Sequence, residues 1–150
     1  MTTRSRARDD LVANTQRALQ QLIWNGRARL QVVVREYGLT VPQASFLLHL
    51  NRRGGEATMG EVTEALQFTA STTTSIADRL VNRGLVERGI NPEDRRVVVA
   101  MLTPEGRKLV DDIQARRARS FAALLDQFPD SDIEHFHSMV ERIVAAMDMP

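Results

Sequence analysis

Hydrophobic positions recur every three or four residues over most of the chain, which is the spacing of amphipathic helices. A first helix is predicted from about residue 8 to residue 37, and Gly38 follows it as a suitable C-terminal residue. Thr40–Gln43 and Thr58–Glu61 both have the form of a capping box, in which two side chains satisfy the first backbone amides of a helix. These segments predict two short helices, the first of which ends near Arg53.

A fourth helix is predicted over residues 70–83, between the N-cap Thr69 and Gly84. The pattern then changes to two β-rich runs, 85–90 and 97–102, on either side of a polar turn with an Asn-Pro dipeptide. These runs predict a two-stranded hairpin.

Two further helices are predicted after the hairpin. The first begins at Thr103 and Pro104 and continues to about Phe128, where Pro129 breaks it. Ser131–Glu134 has the form of a third capping box and predicts the last helix. The predicted order is four helices, two strands and two helices.

A short helix, a turn, a longer helix and a β-hairpin are typical of a winged helix-turn-helix, which places its second helix in the major groove of DNA. The predicted fold is therefore mainly α with a small β-hairpin, in which helix 70–83 is the recognition helix and the hairpin 86–102 is the wing. Residues 38–103 form the DNA-binding domain, and residues 1–37 and 104–150 form a helical dimerisation region. We expect a homodimer because this helical region has more apolar surface than the winged domain needs.

The composition of the chain argues against several classes of function. The 150 residues, 43% of them hydrophobic, fit one soluble domain, and no secretion signal or membrane span is present, so the cytoplasm is the expected location. The chain contains no cysteine and three scattered histidines, which provide no catalytic set for a hydrolase or transferase. We expect no enzyme activity, no cofactor and no metal site.

The charge distribution leaves an alternative open. The net charge is +1, but residues 54–103 carry five arginines and seven acids, a balance of −2. DNA-binding proteins are usually clearly basic. A winged fold that has lost DNA binding and serves as a protein-interaction module therefore stays an alternative to a DNA-binding protein.

Candidate contact residues occur on the recognition helix and on the wing. The hydroxyl residues 71–75 suit phosphates and base edges, although they also suit a solvated helix start, and Asp78 favours that simpler interpretation. Asp94 and Arg96 lie two apart and so share one face of a strand, where the carboxylate can hold the guanidinium for the minor groove. An ordinary ion pair in a solvated turn is the alternative.

Several motifs together resemble the MarR family of bacterial transcription regulators. They are Glu61–Leu66 (EVTEAL), Asp78–Arg88 (DRLVNRGLVER), Asp94–Arg96 (DRR) and Leu102–Gly106 (LTPEG). The resemblance implies a homodimer of intertwined terminal helices that binds a pseudo-palindromic operator in double-stranded DNA. It also implies a repressor released by a small lipophilic or phenolic ligand.

The resemblance also assigns roles by position. Trp24 and Phe46 are pocket candidates, although aromatic residues at helical spacing usually pack in a core. Thr73 stands where relatives often have a hydrophobic residue, and Ser75 where they often have a longer side chain. The implied base contacts are Ser71, Thr72 and Ser75, the implied phosphate contacts are Thr74, Arg79 and Arg88, and the implied wing contacts are Asp94, Arg95 and Arg96.

Overall fold

The computed structural model describes residues 3–91 and 94–147. Its contacts divide the chain into two compact units, residues 1–113 and residues 114–150. The described residues are mainly helical with one small sheet, which confirms the predicted fold class. The elements are α1 (Thr3–Glu36), α2 (Val41–Arg52), β1 (Glu56–Thr58), α3 (Met59–Ala65), α4 (Ala70–Asn82), β2 (Val86–Ile90), β3 (Val98–Leu102), α5 (Pro104–Leu125) and α6 (Asp130–Met147).

The sheet has three strands, where the sequence predicts two. The hairpin strands β2 and β3 pair as expected, with Val86 opposite Leu102, and β1 adds to the other side of β3, giving the antiparallel order β1-β3-β2. The prediction missed β1 because three residues are too short to show an alternating pattern. The extra strand connects the end of α2 to the sheet that carries the wing.

Local capping interactions fix the helix starts of the winged region. The Thr40 and Thr58 hydroxyls each accept a hydrogen bond from the backbone amide three residues later, and both capping boxes are complete. The Thr69 side chain caps α4 by accepting from the Thr72 amide at 3.2 Å. The capping box predicted at Ser131 is wrong: α6 begins at Asp130, so Ser131 lies inside the first turn.

Two helices end in the same way, on a glycine with positive φ. At the end of α1, Gly38 has φ +65°, and the Leu39 amide donates back to the Val34 carbonyl at 2.9 Å. At the end of α4, Gly84 has φ +69°, and the Leu85 amide donates back to the Leu80 carbonyl at 3.0 Å. Both are Schellman endings, in which glycine avoids the steric cost of the left-handed conformation.

The core of residues 1–113 is built mainly from α2, α4 and the sheet. Its fully buried side chains include Phe46, Leu50 and Leu80. Thr73 is also buried, and its hydroxyl donates to the Thr69 carbonyl at 3.1 Å and accepts from the Thr63 hydroxyl at 2.9 Å. The polar group at this core position is therefore satisfied by hydrogen bonds.

The long helices leave much apolar surface uncovered. Among the described side chains of α1, residues 6–29 are all exposed, and the buried ones are Val33 and Val34. In α6, which is described throughout, no residue is buried. No helix within the described ranges is long and apolar enough to cross a membrane.

Candidate nucleic-acid interface

One face of α4 is buried in the core and the opposite face is exposed. Thr73, Ile76, Ala77 and Leu80 form the buried face. The exposed face has hydroxyl groups in its first turns and a cation further along: Ser71, Thr72, Ser75 and Arg79. Val81 adjoins the buried face, but 37% of it is exposed, because it lies at the edge of the stripe.

The exposed face of α4 forms a groove with the first turn of α2. The groove has a volume of about 540 Å³, and its wall includes these four α4 residues, Ser71, Thr72, Ser75 and Arg79. Thr40, Pro42 and Gln43 line it from the start of α2, and sequence reasoning did not include them in the site. Their capping box predicted the helix start, but a local motif does not show which other helix lies beside it.

Arg88 connects the wing strand β2 to α4. Its Nη1 atom lies 2.7 Å from Oδ1 of Asp78, and its Nη2 atom donates to the Thr74 carbonyl at 3.1 Å. The negative charge of Asp78 is therefore compensated by a guanidinium, which weakens the support that Asp78 gave to a merely solvated helix start. The ion pair also fixes the base of the wing against the helix.

The tip of the wing is a turn from Asp94 to Val97, closed by a hydrogen bond from the Val97 amide to the Asp94 carbonyl at 2.9 Å. The Asp94 carboxylate accepts from the Arg96 amide at 3.0 Å and from its guanidinium at 3.2 and 3.3 Å. The predicted pairing is therefore present, although the residues lie in a turn and not on a strand. Pro92 and Glu93 of the predicted turn lie outside the described residues.

Electrostatics at the tip follow from this arrangement. The side-chain hydrogen bonds from Arg96, followed by the bond from its backbone amide, lower the pKa of Asp94. The carboxylate is thus charged over the physiological range. The Arg96 side chain is 91% exposed, and Arg95 is also exposed. The tip presents two arginines to solvent, one of them oriented by an acid.

Comparison with known proteins shows which family the chain resembles. The family model described as MarR family matches residues 37–97, which include α2, the helix pair α3 and α4, and most of the wing. Over this range the chain is similar to the MarR family. A structure of a MarR family protein from Bacillus stearothermophilus is 27% identical to the chain, covers 94% of it and 98% of its own length, and superimposes with a TM-score of 0.86.

Two of the chain's relatives are named as transcriptional regulators. YsmB of Bacillus subtilis, named an uncharacterized HTH-type transcriptional regulator, is 29% identical over 88% of this chain and 90% of its own. MdtR of the same organism, named an HTH-type transcriptional repressor, is 28% identical over 83% of this chain and 80% of its own. The matching family and both of these relatives are transcription regulators and not enzymes.

The two pocket candidates lie in different environments. Phe46 is fully buried in the core of residues 1–113, which favours its packing role. Trp24 is 74% exposed and lies beside a hollow lined by residues of α1 alone, from Asn14 to Trp24. Phe46 is not part of this hollow.

His49 on α2 is partly buried, whereas His135 and His137 are exposed. Its Nε2 atom is buried and has no hydrogen-bond partner. Burial lowers the pKa of His49, and the positive charges of Arg52 and Arg53 lower it further, so the imidazole is neutral near pH 7. Across the described ranges, no three His, Asp or Glu side chains come together in a way that could hold a metal ion.

Proposed function

We propose that this chain is a regulator of the MarR type, a homodimeric, sequence-specific repressor of transcription that binds a pseudo-palindromic operator in double-stranded DNA. In this proposal α4 enters the major groove and the wing contacts the minor groove. The observation that carries it is the exposed hydroxyl face of α4, beside a wing that has arginines at its tip and is held to α4 by Arg88.

The chemistry of this face suits base and phosphate contacts. Ser71, Thr72 and Ser75 lie in the first two turns of α4, where the helix dipole also favours an anion. Their hydroxyls can donate to or accept from base edges. Arg79 and Arg88 supply positive charge for phosphates, and the contacts of Arg88 with Thr74 and Asp78 hold its guanidinium in place. Because these serines are short, we expect DNA shape to contribute to recognition.

The dimer is supported by the uncovered apolar stripe of α6. Large side chains repeat along one side of this helix and stay exposed in the single chain. A second copy would remove them from water, which is the usual driving force of a stable dimer. The stripe comprises Phe136, Met139, Val140, Ile143, Val144 and Met147.

Repression, release by a small lipophilic or phenolic ligand, and action in the cytoplasm, where the DNA is, complete the proposal. Repression is supported by the name of the relative MdtR and by the family. A ligand site between the dimer helices and the winged domain is the family expectation, and Trp24 is an exposed aromatic residue that could contribute to it.

The alternative is a winged fold that serves only in protein interaction, and it rested on the negative charge of residues 54–103. An arginine from outside this range offsets part of that charge, because Arg53 pairs with Glu61 at 2.7 Å. A mobility-shift experiment on the upstream region of the protein's own gene separates the two functions. A specific shift supports the regulator, and an absence of binding to any duplex supports the interaction module.

Serine substitutions on α4 test sequence reading. Ser71→Ala and Ser75→Ala should each lower the preference for the operator over random DNA by at most about 1–3 kcal/mol, because each removes one base-edge partner. Ser120→Ala, on the exposed surface of α5, is the control and should leave the preference unchanged. Equal losses of affinity for operator and random DNA would indicate that these serines contact phosphates and would contradict their proposed role in base recognition.

A further inference from the structure

Arg83, the residue that follows α4, joins that helix to the end of α1. Its Nη1 atom donates to the Gly38 carbonyl at 2.7 Å, and its Nη2 atom donates to the Tyr37 carbonyl at 3.0 Å. The bonded residues are 45 and 46 positions away in the chain. One side chain therefore links two helix ends that the sequence places far apart.

The backbone at both ends explains why this link forms. Both helices close in Schellman endings, at Gly38 and at Gly84, so each chain turns sharply away from its helix. In α1 this turn leaves the Tyr37 and Gly38 carbonyls at the negative end of the helix dipole, where a cation is favoured. A guanidinium has donors in a fixed fork and can bind both carbonyls at once.

Because the link joins the ends of α4 and α1, it couples the position of α4 to that of α1. Among the described side chains of α1, the residues up to 29 are exposed, and burial begins near Leu30. In the proposed dimer that exposed part of α1 is covered by the second copy, so its orientation is set by the assembly. Arg83 ties Tyr37 and Gly38, the two residues that follow α1, to the end of the recognition helix.

We propose that Arg83 is a positioning residue for DNA recognition. By holding the end of α4 to the end of α1, it fixes the separation and orientation of the two recognition helices of the dimer. Separation determines which distance between half-sites a dimer can bind. Arg83 thus selects the spacing of the operator without contacting a base. The inference rests on the proposed dimeric function.

The experiment measures spacing preference. A duplex is first selected by the wild-type protein from a random-sequence pool, and variants are made with one base pair inserted or deleted between its half-sites. Affinities for the three duplexes are then measured with wild type, Arg83→Gln, Arg83→Lys and Arg107→Gln. Arg107→Gln is the matched control: it removes the same charge and a guanidinium bond to the Gly54 carbonyl, at 3.3 Å, that does not involve α4.

We expect the preference of Arg83→Gln for the selected spacing to fall by about tenfold, because both charged hydrogen bonds are lost. Arg83→Lys should lose part of the preference, since an ammonium group lacks the planar fork. Arg107→Gln should keep the wild-type preference. The dependence of affinity on salt should be the same for Arg83→Gln and wild type, because no phosphate contact is lost.

Each other result has a defined meaning. An unchanged spacing preference in Arg83→Gln overturns the inference. Parallel weakening on all three duplexes, with a smaller salt dependence and recovery in Arg83→Lys, makes Arg83 a phosphate contact and also overturns it. If Arg83→Gln does not fold, the spacing preference of Arg83→Lys decides. If the wild type selects no inverted repeat, the proposed function itself fails.

Discussion

The helices α4 and α6 are both amphipathic, but the apolar face of α4 is buried within the chain, whereas that of α6 is exposed. In α4, Ile76, Ala77 and Leu80 are buried within the same chain. In α6, which the structure describes in full, Phe136, Ile143 and their apolar neighbours are exposed. An apolar helix face can therefore be buried by the chain itself or stay exposed and available to a partner. Apolar residues of α4 should control the stability of the folded chain, and those of α6 should control its assembly.

A charge in the stripe of α6 should have the largest effect on function. Ile143→Glu would place a carboxylate in the proposed dimer interface, where an unpaired charge is strongly unfavourable. We expect a monomer at micromolar concentration by light scattering and a loss of operator affinity of about 100-fold or more, since one half-site offers half the contacts. Ser138→Glu, on the polar side of the same helix, is the control and should remain dimeric. Dimers of Ile143→Glu would show that α6 is not the interface.

Truncation in the apolar face of α4 should instead lower the free energy of unfolding. Leu80 is fully buried, and Leu80→Ala should cost about 2–5 kcal/mol through lost burial and the cavity that remains. Val81→Ala, one residue further and 37% exposed, should cost less than about 1 kcal/mol. Denaturant unfolding of the two variants measures the difference. Equal losses would contradict the burial of one face of α4.

The wing is held against α4 by Arg88, and we expect it to contribute to DNA binding through the positive charge of its arginines. Replacement of Arg95 and Arg96 by Ala should weaken binding to operator and random DNA by similar factors. It should also reduce the slope of log affinity against log salt by roughly one per lost phosphate contact. The control is the replacement of Arg117 and Arg119, two exposed arginines of α5, by Ala. If the affinity and the slope stay unchanged in the wing variant, the wing does not touch DNA.

The smallest expected effect is a pH dependence at the start of α3. Hydrogen bonds from the backbone and the side chain of Thr58 lower the pKa of Glu61, and Arg53 lowers it further. A lowered carboxyl pKa stabilises the fold above the unfolded value of about 4.3, and this stability is lost as the pH falls through the folded pKa. Glu61→Gln keeps an acceptor for the Thr58 amide but removes the charge.

The unfolding free energies of wild type and Glu61→Gln should therefore differ at pH 7 and converge as the pH falls through the lowered folded-state pKa of Glu61. Glu64→Gln makes the same change on the same helix at a residue outside the capping box and is the control. A difference between wild type and Glu61→Gln that persists unchanged at low pH would show that the charge of Glu61 does not stabilise the helix start.

Features that depend on neighbouring residues could be predicted from the sequence. The capping boxes at Thr40 and Thr58 and the glycine ending of α4 were predicted because each involves residues within four positions of one another. The ion pair of Asp94 and Arg96 was predicted for the same reason. Ser131 is the exception: the motif is present, but α6 begins one residue earlier.

Features that depend on distant residues could not be predicted. Strand β1 forms only because β3 lies beside it, and the pairs of Arg88 with Asp78 and of Arg83 with Gly38 require the packed fold. The candidate site shows the same division: the exposed residues of α4 followed from helical periodicity, whereas the groove with Thr40 and Pro42 did not.

The central claim is that two copies of this chain bind one inverted repeat, and the mass of the complex in solution tests it most directly. Light scattering of the protein alone, and then at saturation with a duplex selected by the protein, gives the number of chains in each species. We predict a dimer at micromolar concentration and a complex of two chains per duplex. A free monomer at that concentration, or a saturated complex with one chain per duplex, would contradict the account.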